Sequence, residues 1–80
     1  MNKKIDQNKG YNQTSLNLDA AAIIKKIRSD LDMTQEEFAY FVKKPQSTIA
    51  RIETCSMNVS IKLLNEIATN AHRQIKLVLI

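Results

Sequence analysis

The first helical pattern in the chain follows a polar stretch. Residues 1–16 show little apolar periodicity, and we expect them to form a flexible tail. The alternative is a basic arm that contacts DNA or a partner. A helix is predicted over residues 18–31, with Asn17 as its N-cap. Its apolar face consists of Ile23, Ile24, Ile27 and Leu31. Its other faces carry the charged residues Lys25, Lys26 and Arg28.

A second helix begins with a capping box. Thr34 can accept a hydrogen bond from the amide of Glu37, and the Glu37 side chain can accept one from the amide of Thr34. Met33 and Phe38 stand on either side of this start, at the positions of a hydrophobic staple. The pattern predicts a helix over residues 35–42.

Pro45 separates this helix from a third. Proline disfavours the helical conformation at Lys44, and it suits the first position of a new helix. We therefore predict a third helix from Pro45 to about Glu53, with Ile49 and Ile52 directed inward. Because the connection is so short, we expect the second and third helices to cross at a steep angle.

A fourth helix is predicted after a polar loop over residues 54–59. Ser60 is its expected N-cap, and Asn70 is its expected end. Its apolar face consists of Ile61, Leu64, Ile67 and Ala68.

The C-terminus changes from helical to alternating pattern. Residues 75–80 are almost wholly β-formers, and a single strand would leave its backbone groups without partners. We expect it to pair with the same strand of a second copy across a two-fold axis. The predicted dimerisation residues are Ile75, Leu77, Val78, Leu79 and Ile80. The alternative is that the fourth helix continues through His72 as a heptad pattern, which also predicts self-association.

These elements predict three parts: a polar tail (1–16), a helical domain (17–72) and a dimerisation strand (73–80). The fold class is all-α, with a short strand added at the end. Gly and Pro occur once each among 80 residues, which disfavours a β-sandwich or barrel. A chain of this length forms one small domain with a marginal core.

Composition argues against an enzyme and an exported protein. The chain has one cysteine, Cys55, and one histidine, His72, so it can form no internal disulfide, and no zinc-binding spacing is present. We expect no metal and no cofactor. No apolar run follows the basic residues 1–4, so we expect no signal peptide, and no apolar run is long enough to span a membrane. We therefore expect a cytoplasmic protein.

The short connection between the second and third helices predicts a DNA-binding site. In a helix-turn-helix, the N-terminal residues of the second helix reach base edges in the major groove. The candidate DNA-binding residues of the third helix are Gln46, Ser47, Thr48 and Arg51. Gln35 can contact the DNA backbone, and the turn adds Lys43 and Lys44. Residues 34–53 carry no net charge, so the overall charge of +4 supports this interpretation only weakly.

The stretch TQEEFAYFVKKPQSTIARIE, residues 34–53, resembles the Cro/cI-type (XRE) helix-turn-helix family. Its first six residues match the family's T-Q-x-x-[LF]-A opening, and residues 46–53 match the Q-S-T-I-x-R-I-E core. The similarity extends from about Ile23 to Ala71. It implies a compact, lambda-repressor-like bundle of four or five helices. Lys43 and Cys55 stand where many relatives have glycine, and Val59 stands where many have proline.

The resemblance also implies roles for individual residues. Gln35 would contact a phosphate or hold the geometry between helices, and Gln46 and Ser47 would contact bases. Arg51 would contact a base or a phosphate, and Glu53 would be structural. Apart from the resemblance, we interpret Glu36, Glu37 and Glu53 as caps and helix surface and not as an acid/base pair.

The short β segment directly after the fourth helix is similar to the ends of HipB-like and HigA-like antitoxins. This similarity implies a homodimeric repressor that binds a palindromic double-stranded operator, neutralises a kinase-like or RNase-like toxin and regulates its own operon. A phage-type repressor without a toxin is the alternative. Two further hypotheses are a module that binds only protein, and a small enzyme that uses Cys55.

Overall fold

The computed structural model describes residues 10–76, which form four α-helices and contain no β-strand. The helices are α1 (Gln13–Asp30), α2 (Gln35–Val42), α3 (Gln46–Glu53) and α4 (Ile61–Asn70). The predicted all-α class is confirmed over this range. The predicted bounds of α2 and α4 are confirmed as well.

Side chains from every helix meet in one core. Helix α1 packs against α3 and α4, and α2 packs against the same two helices. The largest fully buried side chains are Phe38, Ile24, Ile49, Ile52, Leu64, Ile67, Val42 and Val59. Burying one such side chain stabilises a fold by about 1.5–3 kcal/mol. This shared core fixes α3 against the rest of the domain.

Helix α1 begins at Gln13, five residues before the predicted start at residue 18. Its N-cap is Asn12, whose side chain accepts from the amide of Ser15 at 3.0 Å, so the prediction of Asn17 as the cap is wrong. Asn17 instead binds the loop before α4: its Oδ1 accepts from the amide of Val59 at 2.9 Å. Leu16 is buried in the core, so the residues before position 18 also contribute an apolar position to α1.

Helix α2 begins as predicted. The Glu37 amide donates to the Thr34 hydroxyl at 3.1 Å, and the Thr34 amide donates to the Glu37 carboxylate at 2.9 Å. Helix α3 begins at Gln46 instead of Pro45, because Pro45 is in an extended conformation with φ −60° and ψ 145°. Only residues 43–45 connect the two helices.

Left-handed residues follow all four helices, and none of them is glycine. They are Asp32, Lys43, Cys55 and His72, with φ between 55° and 62°. Each helix end is closed by backbone hydrogen bonds typical of the Schellman motif, such as Ser56 N–H to Arg51 O at 2.8 Å after α3. A residue with a Cβ costs about 1–2 kcal/mol in this conformation. The resemblance pointed to two of these positions, Lys43 and Cys55.

Helix α4 ends at Asn70, and residues 71–76 are not helical. The alternative of a fourth helix continuing through His72 is therefore wrong. His72 is left-handed, and its ring meets the ring of Phe41 edge to face, with 6.0 Å between centroids. Of the predicted strand, Ile75 is half-buried against the core. The remaining predicted strand residues, Leu77, Val78, Leu79 and Ile80, lie outside the described residues.

Candidate nucleic-acid interface

Helix α3 separates an apolar face from a polar one. Ile49 and Ile52 are fully buried, whereas Gln46, Ser47 and Arg51 are exposed. The side chains of those three exposed residues form no hydrogen bond or ion pair with any residue in the range 10–76. The polar face is consequently held in place by the core beneath it and is open to an outside ligand.

Thr48 lies on the side of this polar face. It is half-buried, unlike its neighbours Gln46 and Ser47. Its amide donates to the carbonyl of Pro45 at 3.0 Å, which tightens the first turn of α3. Of the four α3 residues predicted to bind DNA, Thr48 is thus the least accessible.

The start of α3 differs from the other helix starts. Asn12, Thr34 and Ser60 each cap a helix with a side-chain oxygen. Pro45 precedes α3 and provides no side-chain cap. No capping side chain therefore occupies the amides of Gln46 and Ser47, where the positive end of the helix dipole favours an anion.

The two lysines of the turn have different surroundings. Lys43 is exposed and left-handed, and its ammonium has no partner within the described range 10–76. The ammonium of Lys44 binds the carboxylate of Glu66 on α4 at 2.8 Å. Of the two turn lysines, only Lys43 has an ammonium without a partner in the described range.

Gln35, at the start of α2, is half-buried and is held by α3. Its Nε2 donates to Oε1 of Glu53 at 3.0 Å. Glu53 in turn receives hydrogen bonds from Arg28 of α1, through Nε at 2.8 Å and through Nη2 at 3.0 Å. One buried carboxylate thus joins α1, α2 and α3.

The interactions with Arg28 and Gln35 offset the effect of burial on the pKa of the Glu53 carboxylate. Burial by itself would raise the pKa of Glu53, but the hydrogen bonds from Arg28 and Gln35 outweigh it, and the pKa lies below its ordinary value. The hydrogen bond to Glu53 raises the pKa of Arg28, although burial acts in the opposite direction. Both groups therefore stay charged near neutral pH.

The interpretation of Glu53 as helix surface was wrong, because only 3% of its side chain is exposed. Arg28 and Glu53 are 25 positions apart, and no local pattern connects them. The signal that could have found the pair was the position of Glu53, four residues after the inward Ile49, which places it on the buried face of α3.

Features for other kinds of chemistry are sparse in the part that the structure describes. Within residues 10–76, no group of three His, Cys, Asp or Glu side chains could hold a metal ion. Cys55 is exposed, and its thiol donates to the carbonyl of Asn17 at 3.6 Å. No helix in this range is long and apolar enough to cross a membrane.

None of the protein families, curated proteins or solved structures compared with this chain matches it.

Proposed function

We propose that this chain is a sequence-specific DNA-binding protein of the Cro/cI helix-turn-helix type. The observation that carries the proposal is the exposed, unpartnered polar face of α3 above a fully buried apolar face. A glutamine can form two hydrogen bonds with adenine, and an arginine can form two with guanine. Helix α3 supplies both groups, through Gln46 and Arg51. It also presents the hydroxyls of Ser47 and Thr48, which can bond to several base edges.

Contacts to the DNA backbone would come from the edges of the same surface. Lys43 offers a free ammonium after α2, and Lys44 can reach a phosphate if it exchanges its contact with Glu66. Gln35 and the uncapped start of α3 provide neutral donors. Phosphate contacts of this kind set the position of the protein, and the α3 side chains read the bases.

We propose that two copies bind together. The alternating pattern of residues 75–80 favours a strand that pairs across a dimer. A dimer of this class binds two half-sites about 34 Å apart, which is one turn of B-DNA. Its operator is therefore a palindrome, and binding there blocks transcription.

The C-terminal pattern also favours an antitoxin. In this proposal, the chain is a cytoplasmic repressor that neutralises a kinase-like or RNase-like toxin encoded beside it and regulates their operon. It uses no cofactor and catalyses no reaction. A phage-type repressor without a toxin remains the second candidate, and it would share the same α3 contacts.

The DNA-binding test uses duplexes that the purified protein selects from a random-sequence library. Arg51→Ala should weaken binding to the selected site by about 1–3 kcal/mol at fixed salt, since it removes a base contact. The matched control is Lys62→Ala, which removes one positive charge from an exposed position on α4. No selected sequence, or equal effects of the two variants, would contradict the proposal.

The dimer and toxin proposals have separate tests. A chain that lacks residues 75–80 should sediment as a monomer, whereas a chain that lacks residues 1–9 should remain a dimer. A dimer that survives the C-terminal deletion would contradict the strand pairing. Copurification with the product of the neighbouring gene tests the antitoxin role, and a protein that binds this product but shifts no DNA at low salt would be a protein-binding module only.

A further inference from the structure

Glu53 connects the interior of the domain to the start of α2. Its Oε1 accepts two hydrogen bonds, from Nη2 of Arg28 at 3.0 Å and from Nε2 of Gln35 at 3.0 Å. Its Oε2 accepts from Nε of Arg28 at 2.8 Å. Arg28 is fixed as well, because its Nη1 donates to the carbonyl of Met33 at 3.1 Å. The carboxylate has therefore little freedom to move.

This arrangement fixes the orientation of the Gln35 amide. The Nε2 atom faces a carboxylate, which accepts hydrogen bonds but cannot donate them. The reverse orientation would place the Gln35 carbonyl oxygen against this negative charge. One amide N–H is thus used inside the protein, and the second N–H remains for an acceptor outside.

We infer that Glu53, held by Arg28, is a positioning residue that presents the second amide N–H of Gln35 to a DNA phosphate. This inference rests on the proposed DNA-binding function and deepens it. A free glutamine side chain loses the freedom of three torsions when it binds. A glutamine side chain that is fixed before binding has already lost this torsional freedom. Its hydrogen bond to a phosphate therefore contributes more to DNA affinity than the same bond from a freely rotating glutamine.

Gln35 also lies where such a contact is useful. It is the first residue of α2, directly after the capping residue Thr34. The positive end of the α2 dipole favours a phosphate there, whereas the carboxylates of Glu36 and Glu37 in the same turn oppose it. The same glutamine contacts Glu53, the last residue of α3. A phosphate bound at Gln35 would therefore be held in register with the bases read by α3.

A purely structural role for Gln35 is the alternative, in which it only ties α2 to α3. The two roles differ in how Gln35 and Glu53 couple in DNA affinity. If Glu53 positions Gln35, Gln35 should no longer increase DNA affinity once the Arg28–Glu53 ion pair is removed. If Gln35 is only structural, its removal should change stability and leave DNA affinity the same in folded protein.

The main experiment is a double-mutant cycle. The starting background is Arg28→Met with Glu53→Leu, which replaces the ion pair by apolar side chains of similar size. Gln35→Ala is measured in the wild type and in this background, with the full chain and the library-selected duplex. Gln46→Ala is the matched control, because the Gln46 side chain forms no hydrogen bond with Arg28, Gln35 or Glu53.

In the wild-type background, we expect Gln35→Ala to weaken DNA binding about two- to tenfold, which corresponds to the net contribution of one hydrogen bond. In the apolar background, it should have almost no effect. Gln46→Ala should weaken binding equally in both. Equal effects of Gln35→Ala in the two backgrounds, or no effect in either, would overturn the inference while DNA binding by α3 stands. A wild-type chain that selects no duplex would instead overturn the proposed function.

A measurement on the wild type keeps the inference testable if the apolar background does not fold. In the free protein, the side-chain amide protons of Gln35 should exchange with water more slowly than those of Gln46, because only Gln35 donates to a buried carboxylate. Saturation with the duplex should shift the Gln35 side-chain amide resonance. Equal exchange rates, or an unchanged resonance in the complex, would overturn the inference.

Discussion

The guanidinium of Arg28 and the carboxylate of Glu53 form two hydrogen bonds, of 2.8 and 3.0 Å, between α1 and α3. Only 27% of the Arg28 side chain and 3% of the Glu53 side chain are exposed. The carboxylate is thus well shielded from water, and the guanidinium is half-buried. The C-terminal end of the candidate recognition helix is held to the first helix at this point.

Glu53→Leu should lower the free energy of unfolding by about 1–3 kcal/mol, because it leaves the half-buried Arg28 guanidinium without a counter-charge. The combined variant Arg28→Met with Glu53→Leu should recover most of this loss, since no charge is then left unpaired. Urea denaturation of the two variants and the wild type measures the difference. If the single and the combined variant lose the same free energy of unfolding, the site stabilises the fold through packing and not through charge.

Acid should weaken the fold through Glu53. Its pKa in the folded chain lies below the ordinary value of 4.5, so the ionised group stabilises the fold above that value. This contribution is lost as the pH falls from 4.5 through the lowered pKa. Unfolding by urea at a series of pH values should show the decline, and the Arg28→Met/Glu53→Leu variant should decline less steeply. Parallel curves would contradict the prediction.

Asn17 should stabilise the domain although it is not the helix cap. Its Oδ1 accepts from the Val59 amide at 2.9 Å and from Gln13 Nε2 at 2.8 Å, and its Nδ2 donates to Asn58 at 3.1 Å. Asn17→Ala should cost about 1–2 kcal/mol in thermal or urea unfolding, because it leaves the partly buried Val59 amide unpaired.

The control for this variant is Asn65→Ala, at an exposed position within α4. Alanine has the higher helix propensity, so this change should be neutral or slightly stabilising. If Asn65→Ala costs as much as Asn17→Ala, the contacts of Asn17 do not account for its effect.

Cys55→Gly should stabilise the chain by up to about 1 kcal/mol, because Cys55 has φ 57° and glycine adopts this conformation without a Cβ penalty. The greater freedom of glycine in the unfolded chain offsets part of the gain. Ser56→Gly is the matched control at the next position, which has no positive φ, and it should be neutral or destabilising. Thermal unfolding measures both variants. Equal changes in stability for Cys55→Gly and Ser56→Gly would contradict the prediction.

Much of the helical order could be predicted from local pattern. The capping box at Thr34 and the apolar spacing after it gave the bounds of α2, and Ser60 and Asn70 gave those of α4. The start of α1 was missed because Asn12 and Asn17 are both good capping residues. Contacts that are distant in sequence, the burial of Leu16 and the hydrogen bond of Asn17 to Val59, belong to the longer helix.

For the candidate site, the pattern predicted which α3 residues face outward, because Ile49 and Ile52 define the buried side. The side chains of Gln35 and Lys44 could not be placed in this way. Each binds a residue far away in sequence, Glu53 and Glu66, and a hydrogen bond of this kind depends on how the helices pack.

The sequence by itself determined the order of four helices and the polar face of one of them, because caps and apolar spacing act over a few neighbouring residues. Only the tertiary structure decided that Arg28, Gln35 and Glu53 meet, because the packing of α1 and α2 against α3 brings three separate segments to one buried carboxylate. Such a carboxylate is stable only when partners from other elements satisfy it, and no local pattern encodes where those partners will be.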